Sequence, residues 1–194
     1  PEAAESVKTS VSLLRLVDCL VIKAKLGEAD DAIASWCHQL PEPRDVVVVP
    51  RDRDLWQIVG AGVSIMSGQA QDPHEVDRFA CRGILGVDPE GVALMKAILG
   101  DKSDNLGRTG PTKVKRATIL KAAQFQTPEG LRRHCQDAEI MAHLDAIAEQ
   151  YSVTQVKRNL SVREYRGTGA PHGLHDRVKP HGTLQECSLA AKGS

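Results

Sequence analysis

Four consecutive valines, Val46–Val49, are the feature that most constrains the fold of this chain. A run of β-branched residues without polar alternation is typical of a strand that is buried on both faces of a parallel sheet. Pro50 ends the run, and Asp52 and Asp54 follow directly. Because ligands bind outside the carboxyl ends of the strands in an open α/β sheet, these two acids are candidate site residues.

The segments around the valines predict further elements of an α/β fold. Helices are expected at Ala3–Arg15, at Glu28–Leu40 and from Asp54, and strands at Val17–Ala24 and Val63–Met66. Strands and helices that alternate with short connections predict a parallel sheet with right-handed crossovers.

From Asp88 onward the pattern predicts only helices and loops. The expected helices are Asp88–Leu99, Thr112–Ala123, Pro128–Cys135, Ala138–Gln150 and Val153–Leu160. The segment 166–194 has little periodicity and reads as an irregular tail. We therefore expect a partial α/β core at 1–87, a helical module at 88–165 and the tail at 166–194.

The charges are unevenly distributed, although the formal net charge of the 194 residues is zero. Residues 1–100 hold 10 Lys and Arg against 15 Asp and Glu, and residues 101–194 hold 15 against 10. An acidic part joined to a basic part suits a protein that holds cations in one place and phosphates in another. A solvated charged helix is the simpler explanation of the basic part.

The sequence contains no signal for a membrane or for secretion. No apolar run approaches the roughly 20 residues that cross a bilayer. The five cysteines are widely spread without a CxxC pair, which favours free thiols in a reducing, intracellular compartment.

Three acidic clusters lie at predicted element boundaries. They are Glu28, Asp30 and Asp31; Asp52 and Asp54; and Asp101 and Asp104. Each alone would be ordinary, as first-turn helix acids, a turn with a cap, and a loop. Together, without basic partners, they would repel one another unless divalent cations lay among them. Carboxylate oxygens favour Mg²⁺ or Mn²⁺, and two such ions about 3.5–4 Å apart promote phosphodiester hydrolysis.

The segments GEADD, VVVVPRDRDLWQIV and GVDPEGVALMKAILGDKSDN resemble, in order and spacing, the flap endonuclease/5′–3′ exonuclease family. This family includes the 5′-nuclease domains of bacterial DNA polymerase I and the phage exonucleases. The resemblance covers roughly Val17–Leu160. It implies a PIN-like, parallel-sheet α/β nuclease core followed by an all-helical helix–three-turn–helix module, a helix-hairpin-helix variant that binds DNA.

The resemblance also implies roles for the acids, position by position. It makes Glu28 and Asp30 ligands of a first metal ion, with Asp31 as an accessory acid. The implied ligands of a second metal ion are Asp52, Asp54, Asp101 and Asp104. The expected cofactors are therefore two Mg²⁺ or Mn²⁺ ions.

The hairpin of the family corresponds to Asn105–Ala117 in this chain. The residues expected to contact DNA are Gly107, Arg108, Gly110, Thr112, Lys113, Lys115 and Arg116. The family often binds a monovalent cation such as K⁺ in this loop. Here Arg108 and Thr109 stand where the family commonly has a proline-containing apolar pair, so DNA contact is better supported than ion binding.

The function implied by the resemblance is metal-dependent hydrolysis of DNA near a 5′ end, without a protein nucleophile, in replication or repair. The expected partners are DNA with 5′ flaps, nicks or branches, and RNA primers, in a compartment that contains DNA. Two alternatives stay open: a non-catalytic nucleic-acid-binding or structural remnant within a larger assembly, and an RNA-directed nuclease.

The family's first strand, a second upstream Asp and a helical arch would precede Pro1. Three explanations are open: a preceding segment outside this sequence, a second chain that supplies the strand, or a remnant that no longer cuts. The 194 residues alone are expected to expose an apolar sheet edge, to bind divalent metal at one weak site and to lack nuclease activity.

Overall fold

The computed structural model describes residues 2–16, 19–41, 45–50, 52–69, 71–101 and 105–165. Asp104 and the segment 166–194 lie outside the described residues, so the predictions for them stay predictions.

The chain divides into two compact units, which are described separately. The first contains residues 1–41 and 157–194, and the second contains residues 42–156. Both the sheet that carries the valines and the helices that follow it lie in the second unit, so this division does not fall at residue 87.

The described elements alternate between helices and short strands. In chain order they are α1 (Glu2–Leu16), β1 (Val21–Ala24), α2 (Ala29–Gln39), β2 (Val46–Val48), a 3₁₀ helix (Asp54–Ile58), β3 (Val63–Gln69), β4 (Asp72–Val76), α3 (Arg78–Leu85), a 3₁₀ turn (Pro89–Gly91), α4 (Val92–Leu99), α5 (Arg116–Ala123), α6 (Pro128–His134), α7 (Ala138–Met141), α8 (Leu144–Thr154) and β5 (Val162–Tyr165). Among the described residues, none of these helices has the length and apolar character needed to span a membrane.

In the first unit, β1 pairs antiparallel with β5, with Ala24 opposite Val162. The predicted strand at Val17–Ala24 is confirmed at Val21–Ala24 and not at 19–20, while 17–18 lie outside the described residues. Its partner comes from the far end of the described chain. The α2 helix matches its prediction and buries Ala32, Ala34 and Cys37. This pairing joins two strands that are distant in sequence, which no local pattern indicates.

In the second unit, three strands form a mixed sheet in the order β2-β3-β4. β2 is parallel to β3, as predicted, but β3 is antiparallel to β4. β4 was missed because Asp72-Pro73-His74-Glu75 has no apolar alternation. An all-parallel sheet is therefore wrong for this unit.

The predicted burial of the valine strand on both faces is also wrong within the described residues. Val47 is 45% exposed and Val49 is 76% exposed. β3 is the strand described beside β2, and β1, which falls in the predicted strand Val17–Ala24, pairs with β5. The β-branched residues still favour a strand, but the surroundings that bury a strand on both faces are not described here.

The helical part of the second unit packs around α4. Its buried side chains include Leu94, Ile98, Ile119, Leu131 and Ile147, all with essentially no exposed surface. Each such side chain stabilises the fold by roughly 1.5–3 kcal/mol relative to an exposed position. These contacts hold α4, the helix between two acidic positions, at the centre of the unit.

Three predicted helix boundaries differ from the structure. The helix predicted at Thr112–Ala123 begins at Arg116, and the helix predicted at Ala138–Gln150 is broken into α7 and α8. Of the helix predicted at Val153–Leu160, only the first two residues are helical, because α8 ends at Thr154. Since β5 follows, the segment 88–165 is not entirely helical.

Candidate active site

Three carboxylates of the second unit converge on one ammonium group. Asp52 follows β2, Asp54 begins the 3₁₀ helix, and Asp101 follows α4. The Lys96 Nζ contacts Asp54 Oδ1, lies 2.5 Å from Asp101 Oδ2 and lies 3.8 Å from Asp52 Oδ1. We call these four residues the acidic cluster. Two of the three predicted acidic groups therefore contribute side chains to one place.

Local hydrogen bonds and a buried amide place the acids. The Asp54 backbone N–H donates to Asp52 Oδ1 at 2.9 Å, which fixes the turn between the two acids. The buried Gln57 side chain donates to the Thr154 carbonyl at 2.7 Å and accepts from the Val156 N–H at 3.2 Å. Because α8 ends at this amide, the 3₁₀ helix is anchored to the helical core.

Lys96 is the member of the cluster that the sequence analysis missed. It belongs to the helix VALMKAIL, and its side chain is only 9% exposed. A lysine among buried apolar residues needs a charged partner, because burying an unpaired ammonium is costly. The lone charge in that apolar helix was therefore a usable signal for an acid nearby.

The acids were expected to lie together without a basic partner, but Lys96 lies among them and lowers the negative charge of the cluster. Three carboxylates and one ammonium leave a formal charge of −2 when all are ionised. The carboxylates are partly accessible, with side-chain exposures of 40% for Asp52, 20% for Asp54 and 16% for Asp101. The expected repulsion is thus reduced by a cation of the chain itself, and a residual negative charge stays open to solvent.

These carboxylates fit a divalent ion by chemistry, although they are not arranged around one. Hard oxygen ligands and a charge of −2 suit Mg²⁺ or Mn²⁺. Among the described residues, however, no group of three His, Cys, Asp or Glu side chains is placed to hold a metal ion. Asp54 and Asp101 are instead turned toward Lys96. Lys96 therefore competes with a metal ion for the carboxylate oxygens that it contacts.

The acids of the first unit lie at the start of α2. Asp31 is buried, and its Oδ1 accepts from the Lys157 backbone N–H at 2.8 Å. Its Oδ2 accepts from the Glu28 N–H at 3.3 Å and lies 3.6 Å from Lys157 Nζ. Asp31 thus caps α2 and holds the chain before β5, while Glu28 is exposed and Asp30 is partly exposed. That these acids share a site with the acidic cluster stays a prediction.

Residues 105–115, here called the hairpin loop, connect α4 to α5 and begin beside the acidic cluster. Asp101 and Leu106 exchange two backbone hydrogen bonds, of 3.0 and 2.8 Å. The Gly110 N–H donates to the Ile98 carbonyl at 2.9 Å, and Thr109 Oγ1 donates to the Ala97 carbonyl at 2.5 Å. The loop is therefore attached to the helix that carries Lys96.

Two glycines permit this close approach. Gly100 has φ +79°, and a Cβ there would lie 2.7 Å from the Arg108 backbone nitrogen. A Cβ at Gly110 would overlap the Ile98 side chain. Gly110 was predicted as a phosphate-approach position, and the structure adds a packing reason for a glycine there.

The predicted DNA-contact residues of the hairpin loop fall into two groups. The exposed side chains are those of Thr112, Lys113, Lys115 and Arg116. Arg108 is exposed as well, but its guanidinium donates to carbonyls of its own loop, those of Gly110, Pro111 and Val114. The Gly107 carbonyl accepts from Gln150 Nε2 at 2.9 Å. That these residues contact DNA stays a prediction.

The known proteins to which this chain is similar in sequence include a 5′–3′ exonuclease and bacterial DNA polymerases I. A 5′–3′ exonuclease of Halalkalibacterium halodurans is 29% identical over 144 residues, which are 72% of this chain and 46% of that protein. The DNA polymerase I of Bacillus caldotenax is 30% identical over 135 residues, 68% of this chain and 15% of that protein. The chain belongs to the 5′-nuclease family.

Three further comparisons were made, with another relative, with family models and with solved structures. The thermostable DNA polymerase I of Thermus filiformis is 27% identical over 174 residues, 82% of this chain and 19% of that protein. No protein-family model matches the chain. The T5 D15 protein, crystallised with metal ions, superposes with a TM-score of 0.49 at 17% identity, over 66% of this chain and 46% of that one.

This 5′-nuclease chain spans less than half the length of each of the three relatives. The mixed α/β architecture with a sheet and surrounding helices agrees with the predicted fold class at that coarse level. The helical DNA-binding module, the residue roles and the cofactors stay predictions.

Proposed function

We propose that this chain carries the metal-binding and DNA-contacting residues of a structure-specific DNA 5′-nuclease that acts in replication or repair. Its reaction would be hydrolysis of phosphodiesters near the 5′ end of flaps, nicks or branched duplexes. The observation that carries the proposal is the direct attachment of the basic hairpin loop to the acidic cluster through the paired backbones of Asp101 and Leu106.

This attachment keeps the DNA-contacting loop at a fixed distance from the acidic cluster. The exposed Lys113, Lys115 and Arg116 supply attraction to the phosphate backbone that does not depend on base sequence. The acidic cluster would repel the same phosphates without added cations. DNA bound by the loop can therefore approach the acidic cluster only if cations neutralise the carboxylates.

Asp52, Asp54 and Asp101 are the described residues of this unit that would hold divalent metal. Bound divalent ions supply the activation of the attacking water and the stabilisation of the leaving oxygen. Lys96 supplies one positive charge to the cluster, and the partly exposed carboxylates leave the acids open to solvent ions. We propose no nucleophile from the chain itself.

A non-catalytic role in binding nucleic acid is the second candidate. The observation that favours it is the ion pairing of Lys96 with Asp54 and Asp101, which already compensates part of the charge that metal ions would neutralise. In a binding protein this ion-paired cluster would only stabilise the fold.

Cleavage of a 5′-flap duplex in Mg²⁺ distinguishes the nuclease from the non-catalytic binding protein. If a longer chain contains this sequence, the assay uses that full-length protein. Asp52→Asn and Asp101→Asn are expected to abolish cleavage while leaving flap binding equal or tighter, because less negative charge faces the phosphates. Asp145→Asn is a matched control, since that carboxylate is fully exposed. Unreduced turnover in both cluster variants would remove the metal-ligand roles, and an inactive parent that binds DNA would favour the binding role.

A further inference from the structure

The hairpin loop is organised around a single guanidinium group. Arg108 Nε lies 3.3 Å from the Gly110 carbonyl oxygen, and its terminal nitrogen lies 3.3 Å from the Val114 carbonyl oxygen. The same terminal nitrogen donates to the Pro111 carbonyl. Three carbonyls of one loop therefore accept from one cation.

The residues that carry these carbonyls lie outside the helices and strands of the described chain. The residues between Gly110 and the start of α5 form a turn, bends and irregular backbone, and the first helical residue is Arg116. Carbonyls that converge on one point repel one another through their partial negative charges. A planar guanidinium, with five N–H donors and a permanent positive charge, satisfies such a group better than a point-like ammonium.

The position of the loop decides where the exposed cations lie. Val114, whose carbonyl Arg108 holds, lies between Lys113 and Lys115, and Lys115 is the N-cap residue of α5. A change in this turn therefore moves two side chains that the proposed function assigns to phosphate contact. Gln150 holds the opposite side of the loop through the Gly107 carbonyl, independently of Arg108.

We infer that Arg108 is a positioning residue whose guanidinium acts as a built-in cation for the carbonyls of the hairpin loop. It then affects nucleic-acid binding through the shape of the loop and not through a phosphate contact of its own. The inference also means that the loop is complete without a monovalent metal ion. Its DNA-binding consequence rests on the proposed function, whereas its effect on the order of the loop does not.

The full 194-residue chain and its Arg108→Lys and Arg108→Ala variants test this inference. Duplex binding is measured at constant ionic strength in potassium chloride and in tetramethylammonium chloride, with a salt titration for each. Arg82→Lys is the matched control, because that arginine is 61% exposed and lies on α3. Amide hydrogen exchange of residues 109–115 reports the order of the loop without DNA.

The wild type and Arg82→Lys are expected to bind within about twofold in the two salts. Both Arg108 variants should bind about tenfold more weakly in tetramethylammonium with an unchanged salt slope, because the substitutions remove charged hydrogen bonds within the loop. Exchange at 109–115 should rise about tenfold in both variants, and potassium should partly restore binding by Arg108→Ala.

Three results would overturn the inference. In the first, Arg108→Lys binds duplex within twofold of wild type and the log–log salt slope of Arg108→Ala falls by about 0.9. That combination is expected if Arg108 itself contacts one phosphate. The second is a wild type that itself needs potassium. The third is unchanged exchange in both variants. If the wild type binds no DNA, the proposed function fails, but the exchange measurement still decides the role of Arg108.

Discussion

The Nζ of Lys96 lies 2.5 Å from Oδ2 of Asp101, so the helix that carries the lysine is fastened to the acid that follows its own end. The same ammonium contacts Asp54, 42 residues earlier in the chain. One buried cation thus joins α4, the 3₁₀ helix and the start of the hairpin loop. This contact explains how acids from separate segments can lie together despite their like charges.

Replacing Lys96 with Met should lower the free energy of unfolding by roughly 3 kcal/mol, because partly buried carboxylates lose their partner. Mg²⁺ at constant ionic strength should raise the melting temperature of this variant more than that of wild type, since the ion substitutes for the missing ammonium charge. Thermal unfolding with and without Mg²⁺ measures both effects. Lys121→Met, at an exposed position of α5, is the control. Equal responses to Mg²⁺ would show that the cluster does not take up divalent ions.

Replacing Lys113, Lys115 and Arg116 with Ala should weaken duplex binding about equally for all base sequences. The log–log salt slope should fall by about 0.9 for each phosphate interaction that the substitutions remove, because fewer counterions are released. Fluorescence anisotropy across a salt series gives both quantities. The control removes the same number of exposed charges at Lys23, Lys25 and Arg163. An unchanged slope in the first variant would identify this segment as an ordinary solvated surface.

Replacing Asp31 with Ala should destabilise the protein by about 1–3 kcal/mol, because the Lys157 N–H loses the buried carboxylate that accepts from it. Asp31→Asn should cost less, since its side-chain oxygen can still accept. Urea denaturation without added metal measures the difference, and Asp145→Ala should stay within about 0.5 kcal/mol of wild type. Two Asp31 variants of wild-type stability but weaker Mn²⁺ binding would instead make Asp31 a metal-site acid.

Cys81 should make stability depend on alkaline pH. Burial raises the pKa of its thiol from 9.0 to about 11, with smaller contributions from Asp88 and Glu90. The unfolded thiol therefore ionises first, so this contribution is complete below pH 9 and declines as pH rises toward 11. The stability difference between wild type and Cys81→Ala should shrink by about 2–3 kcal/mol over that window. Denaturation at pH 8, 9, 10 and 11 measures it, and a constant difference would contradict the buried neutral thiol.

Local sequence patterns were sufficient for much of the second unit and for the choice of candidate acids. The valine run predicted β2, the acids after it predicted a turn and a short helix, and Asp88-Pro89 predicted the start of the segment that becomes α4. These signals depend on side-chain periodicity, capping and turn residues, which operate between residues close in sequence. For the same reason the acids could be recognised by their positions at element ends.

The tertiary structure alone decided the partners of those residues. Asp31 holds the Lys157 N–H across 126 residues, and β1 pairs with β5 near the end of the described chain. Lys96 reaches the acids, and Arg108 donates to carbonyls of its own loop although the basic sequence around it favoured a phosphate contact. The sequence alone determined which groups carry charge and where the chain turns. Which charges meet depends on packing between distant segments, because Coulomb and hydrogen-bond energies follow distance in space and not separation along the chain.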